Sequence, residues 1–85
     1  MKNFKASIKI KLREQILDVQ GKAVEQALHS IEFQMINTVR IGKLVELIVT
    51  AENADIATKL VNDACKKLIA NPIIEDFFVE LTEVE

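Results

Sequence analysis

The chain has 85 residues, 49% of them hydrophobic and 28% charged, and carries a formal net charge of −2. A chain this short allows one domain, residues 1–85, which hides only about 60% of the surface its unfolded form exposes, so its core is small. Apolar residues recur throughout and exclude disorder, the acidic balance argues against nucleic acid as a partner, and no apolar run reaches the ~20 residues of a membrane span.

Met1 is followed by charge with no apolar stretch behind it, so no secretory signal is expected. The single Cys65 cannot make an internal disulfide, which fits a reducing, cytoplasmic setting. It reads as a small buried residue rather than a reactive thiol.

Phe4, Ala6, Ile8, Ile10 and Leu12 alternate with Lys5, Ser7, Lys9, Lys11 and Arg13. Strict period two predicts a strand with one apolar and one charged face, in an antiparallel sheet covered on one side. From Val19 the period changes. Val24, Ala27, Leu28 and Ile31 form the stripe of an amphipathic helix, with Asp18 as N-cap and an end near Glu32. A second strand is expected over residues 37–41 and a third over 44–50, with Gly42-Lys43 as a tight turn or bulge between them. Asn53 or Asp55 then caps a second helix with the stripe Ala57, Leu60, Val61, Ala64 and Leu68. Asn71-Pro72 ends it, and a last strand covers about 74–83. The order βαββαβ predicts an α+β two-layer sandwich of ferredoxin-like order, both helices lying on one face of a four-stranded antiparallel sheet.

The face without helices is expected to show Leu44, Ile48 and Phe78 as an apolar patch through which copies associate. The lysine row Lys5, Lys9, Lys11 on the first strand and the acids Glu80, Glu83, Glu85 on the last are read as a cross-strand complement, not as a nucleic-acid surface.

Candidates for chemistry are weak. Gly21, between a strand and a helix N-terminus, suggests phosphate binding, but one glycine is not a phosphate-binding pattern. "VQG" at Val19 to Gly21 resembles the acylphosphatase loop, yet the arginine that family needs four residues later is Glu25 here. His29 is the only histidine and has no partner spacing that suggests a catalytic set or a metal site. Glu75 and Asp76 are neighbours on a strand and point to opposite faces. Arg40 and Lys43 flank the Gly42 turn and offer positive charge to a partner. The residues alone predict an oligomerising domain without a self-contained catalytic site.

Three blocks go further. "LDVQGKAVEQALHSI" from Leu17, "VRIGKLVEL" from Val39 and "KKLIANPIIEDFFVEL" from Lys66 together resemble PurS, the small subunit of phosphoribosylformylglycinamidine synthase. The resemblance implies a non-catalytic subunit of that ligase in de novo purine biosynthesis. It implies a homodimer, or a pair of dimers as a tetramer, that joins the synthetase subunit (PurL) to the glutaminase subunit (PurQ) and supports ammonia transfer. The reaction converts formylglycinamide ribonucleotide to formylglycinamidine ribonucleotide with glutamine, ATP and Mg in the holoenzyme, and no cofactor is implied in this chain. A small-molecule-binding regulatory dimer of the ACT type is the alternative.

Matching positions carried over as partner-contact candidates are Gly21, Lys22, Arg40, Gly42, Lys43, Glu46, Asn71, Pro72 and Glu75. Of these, Gly21 is expected to permit a close backbone approach at the helix start. Arg40, Lys43 and Glu46 are expected to supply polar contacts around the hairpin, and Asn71-Pro72 to fix the turn into the last strand. The chain departs from the family pattern at Leu12-Arg13-Glu14-Gln15, where Lys-Pro-Gly is usual, at Val19, often proline, and at Ile31-Glu32-Phe33, usually Leu-Gly-aromatic.

Overall fold

The period-two run at the N-terminus becomes strand β1, Lys2–Leu12, whose inward side chains Phe4, Ala6, Ile8 and Ile10 are all buried. The computed structural model describes residues 1–84, and Glu85, expected in the acidic last strand, lies outside them. After β1 come helix α1 (Val19–Ser30), strand β2 (Gly42–Ala51), helix α2 (Ala54–Ala64), a five-residue π-turn (Cys65–Ile69) and strand β3 (Glu75–Val84). The sheet has three strands in the order β2-β1-β3, and β1 pairs antiparallel with both neighbours. The fold is α+β, as the patterning predicts.

The strand expected over residues 37–41 does not form. Thr38 adopts φ 58, a left-handed conformation that interrupts an extended run. The Val39 amide donates to Glu25 Oε1 at 3.1 Å and the Ile41 amide to Asp18 Oδ2 at 2.6 Å, so side chains take the donors a ladder would use. Gly42-Lys43 is therefore no hairpin turn but the start of β2, paired with Lys11 and Ile10. Neither glycine has a positive φ. Gly42 is needed for close approach, since a Cβ there would lie 2.6 Å from the Ile10 carbonyl oxygen.

Helix α2 crosses all three strands. Asn53 caps it by accepting from the Ile56 amide at 2.9 Å. Its Val61, with Cys65 of the π-turn, closes the core with Ala6, Ile8 and Ile10, while its Ala57 packs with Phe4 and Ala51; part-buried Val45, Leu47, Val49, Phe77, Val79 and Leu81 flank them. The predicted stripe fails at its end, because Leu68 is 86% exposed. The π-turn, closed by the Ala70 amide donating to the Cys65 carbonyl, takes more residues per turn. It brings Ile69 and Ala70 inward in place of Leu68.

Helix α1 does not join the second layer, contrary to the two-helix sandwich. Asp18 caps it as predicted, accepting from the Gly21 amide at 2.8 Å. Its only buried residue is Gly21, and it stands clear of the sheet. The molecule is accordingly elongated, 52 × 28 × 14 Å. The helix ends with the Phe33 amide donating to the Leu28 carbonyl while Glu32 sits at φ 78. A glycine takes this position without strain. We expect Glu32→Gly to raise stability by about 0.5–1 kcal/mol in urea unfolding.

Candidate functional site

The end of the sheet where β1 stops gathers a cluster of charged and turn-forming residues. Lys11 is opposite both Gly42 and Asp76, and Leu12 is opposite Glu75, so the β2 start and the β3 start flank the β1 exit. Arg40 closes this end. Its guanidinium donates to the carbonyls of Leu12 (3.1 Å), Arg13 (2.9 Å) and Ile16 (3.2 Å), pinning the 13–18 turn to the segment that enters β2.

Asp18 is the matching anion. It is buried, and its two oxygens take one amide from its own helix and one from Ile41. Those amides, Gly21 first, hold its carboxyl below the usual aspartate range, with Arg40 adding to them and burial opposing. The Val39 amide does the same for Glu25, helped by Lys22 and also opposed by burial. Glu25, in the arginine position of the acylphosphatase pattern, is thus a carboxylate engaged with backbone. Gly21 has a steric reason. A Cβ there would overlap the Val39 carbonyl oxygen and come within 2.7 Å of Asp18 Oδ2.

Both carboxyls have folded pKa values below their unfolded ones. Their contribution to stability is therefore complete only above about pH 5, and it is lost as pH falls through the unfolded and then the folded values. Urea midpoints of the wild type and of Asp18→Asn with Glu25→Gln should differ at pH 7, and the gap should narrow steadily below about pH 5.

Turn 70–75 is fixed from within. The Ile73 amide donates to Asn71 Oδ1 at 3.1 Å, and the Asn71 amide donates to Glu75 Oε1 at 2.7 Å. Lys43 reaches Glu75 across the sheet end at 3.5 Å. Arg13 donates to the Pro72 carbonyl and pairs with Asp76 at 3.5 Å, while its amide donates to the Ile74 carbonyl at 2.9 Å. The sequence reading missed Arg13, whose partners lie some 60 residues away and leave no local signal. An open groove of about 380 Å³ lies between these segments, lined by Leu12, Leu17, Val19 and Ile41 together with Lys43 and Glu75.

Of the nine carried-over positions, Gly21, Lys22, Arg40, Gly42, Lys43, Asn71, Pro72 and Glu75 gather around this end. Glu46 does not; it lies on the outer sheet face, paired with Lys5 at 2.8 Å. That face also carries Leu44, Ile48 and Phe78, exposed as the alternation predicts. They do not form one continuous patch, because Lys9 stands between Leu44 and Phe78 in register. The lysine row is complemented in part as expected: Lys9 pairs with Glu80 at 3.8 Å, but Lys5 turns to Glu46 and Lys11 to Glu14. At such exposure each pair contributes little to stability.

His29 is engaged with the Ile36 carbonyl at 2.7 Å through Nε2. Cys65 is buried, and burial raises its thiol pKa. Among the described residues no group of three His, Cys, Asp or Glu is placed to hold a metal ion, and no helix is long and apolar enough to cross a membrane. What the site does chemically is hold backbone: three chain segments are clamped into one fixed, charged and grooved end.

Residues 5–83 match the family model PurS, phosphoribosylformylglycinamidine (FGAM) synthase. The Bacillus subtilis phosphoribosylformylglycinamidine synthase subunit PurS is 42% identical over 81 residues, covering 95% of each chain. The crystal structure of Methanocaldococcus jannaschii PurS superposes with a TM-score of 0.86 at 30% identity, covering 96% of this chain and 99% of that one. A chain in the structure of PurLQS from Thermotoga maritima superposes with a TM-score of 0.85 at 32% identity, covering 99% and 100%. None of these relatives is a small-molecule regulatory domain of the ACT type.

Proposed function

The chain belongs to the PurS family of phosphoribosylformylglycinamidine synthase, and we propose that it acts there as a non-catalytic bridging subunit in the cytoplasm. It takes part in an ATP-dependent ligase reaction of purine biosynthesis without supplying the reacting groups. The observation that carries this reading is the near full-length match to a chain of the PurLQS structure. The clamped sheet end fits it, since its charged side chains are spent on holding backbone rather than on activating a nucleophile.

In this reading a homodimer joins PurL to PurQ and supports the passage of ammonia between them. ATP and Mg act on the synthetase subunit. Lys22, Lys43, Glu75 and Pro72 present the rigid end to a partner subunit, while Gly21, Arg40, Gly42 and Asn71 give that end its shape. The outer sheet face, with Leu44, Ile48 and Phe78 set among paired charges around Glu46, is a second, more polar contact that pairs dimers into tetramers.

Mixing the purified chain with PurL, PurQ, glutamine and Mg-ADP should give a single species containing all three on size exclusion with light scattering. Elution of this chain apart from both partners removes the reading.

A further inference from the structure

Strand β3 has an edge that neither the clamped end nor the outer sheet face uses. In the order β2-β1-β3 it gives one edge to β1 and turns the other to solvent. Ten consecutive residues, Glu75 to Val84, stay in register with β1, so no bulge bends the open edge away. Proline and lysine, which commonly block such an edge, are both missing from the sequence EDFFVELTEV. Along an antiparallel strand every second residue turns its amide and carbonyl away from the neighbour it pairs with. No strand among the described residues receives those groups on the open side of β3.

The charges decide what fits there. β3 carries Glu75, Asp76, Glu80 and Glu83 and no base. Laid antiparallel on the β3 of a second copy, it would set acids against acids, which is destabilising. The other edge strand, β2, carries one lysine and one glutamate and has no such bias. Asp76 and Glu80 pair with Arg13 and Lys9 only at 3.5 and 3.8 Å and stay 63% and 72% exposed, so both carboxylates remain open to a further cation.

β1 shows what β3 accepts. It pairs with β3 over ten residues, setting Phe4, Ala6, Ile8 and Ile10 on the helix side and Lys5, Lys9 and Lys11 on the other. A strand on the open edge meets the same two rows. Phe77, Val79 and Leu81 lie part-buried against the core, and Asp76, Phe78 and Glu80 alternate with them on the outer face. Inward apolar side chains would prolong the core row, and outward basic ones would answer the acids.

We propose that the open edge of β3 is a docking site for an extended segment of another protein, one that alternates apolar and basic residues as β1 does. The segment adds a fourth strand to the sheet by backbone hydrogen bonds, and Asp76 and Glu80 select its charge. A second copy of this chain is not the occupant, because β3 repels itself. The proposal goes beyond the subunit assignment and does not depend on it, and co-elution with PurL and PurQ tests that assignment separately.

The probe is a free peptide with the sequence of residues 2–12, KNFKASIKIKL, titrated into the isotope-labelled full chain. Amide shifts should saturate with a dissociation constant below about 1 mM. Hydrogen exchange should slow at every second residue of β3 and stay unchanged in β2. The same peptide with Lys5→Glu, Lys9→Glu and Lys11→Glu should bind at least about tenfold more weakly. In the chain, Glu80→Lys with Thr82→Lys should weaken the lysine peptide about tenfold while the thermal midpoint stays near that of the wild type. The proposal is overturned by shifts confined to β2 or α1, by equal binding of the two peptides, or by unchanged binding in the double variant. Alternate β3 amides already protected in the chain alone would place another copy on the edge and overturn it as well.

Discussion

Gly21→Ala should destabilise the chain by about 2–3 kcal/mol, lowering the thermal midpoint by about 10–20 °C. The sign is the informative part. In an isolated helix the same change stabilises by about 1 kcal/mol, because glycine is a poor helix former. Here the new Cβ would overlap the Val39 carbonyl oxygen and crowd the Asp18 carboxylate. Either the return segment lifts, breaking the Val39 and Ile41 contacts to Glu25 and Asp18, or the helix start shifts and loses its cap. A midpoint equal to or above that of the wild type would show that the close approach is not a feature of the folded chain.

Arg40→Ala should cost about 2 kcal/mol, since three carbonyls lose a charged donor and only water replaces it at this half-exposed position. The midpoint should fall by about 10 °C. Arg40→Lys should recover only part of this, because an ammonium cannot spread its donors across three acceptors as a planar guanidinium does. The same variants should weaken co-elution with the partner subunits, since the 13–18 turn and the entry to β2 are no longer held together. Full recovery by lysine would mean that Arg40 acts through its charge alone.

The parts of the fold that were legible in the sequence are those set by near neighbours. The alternation from Phe4 to Leu12, the two N-caps at Asp18 and Asn53, and the Asn71-Pro72 turn all depend on residues a few positions apart. The errors arose where distant partners decide. Residues 37–41 read as a strand, but Thr38 and the side chains of Asp18 and Glu25 divert their backbone. Leu68 fitted a helix stripe until the π-turn moved the inward face by one residue. The first helix forms where its periodicity predicts, but its apolar stripe is not packed on the sheet, and Ile31 is left exposed.

At the candidate site the residue types were visible but not their employment. Gly21 was expected to allow a close approach, and the approaching group is the chain's own Val39. Gly42 was read as a turn residue and is needed instead beside the Ile10 carbonyl. Arg13 was not singled out, because its link to Pro72 and Asp76 exists only once β1 and β3 are paired. The family resemblance supplied the rest, since the function depends on surfaces that act only against other subunits.

The central claim is that this chain contributes architecture, not reacting groups. It is tested most directly by comparing two rates in the reconstituted enzyme, one with glutamine and one with ammonium as nitrogen donor, with and without this chain. Omitting the chain should drop the glutamine-dependent rate to that of the glutamine-free background while ammonium-dependent synthesis by the large subunit continues. Glutamine-dependent synthesis at an unchanged rate without the chain would contradict the account.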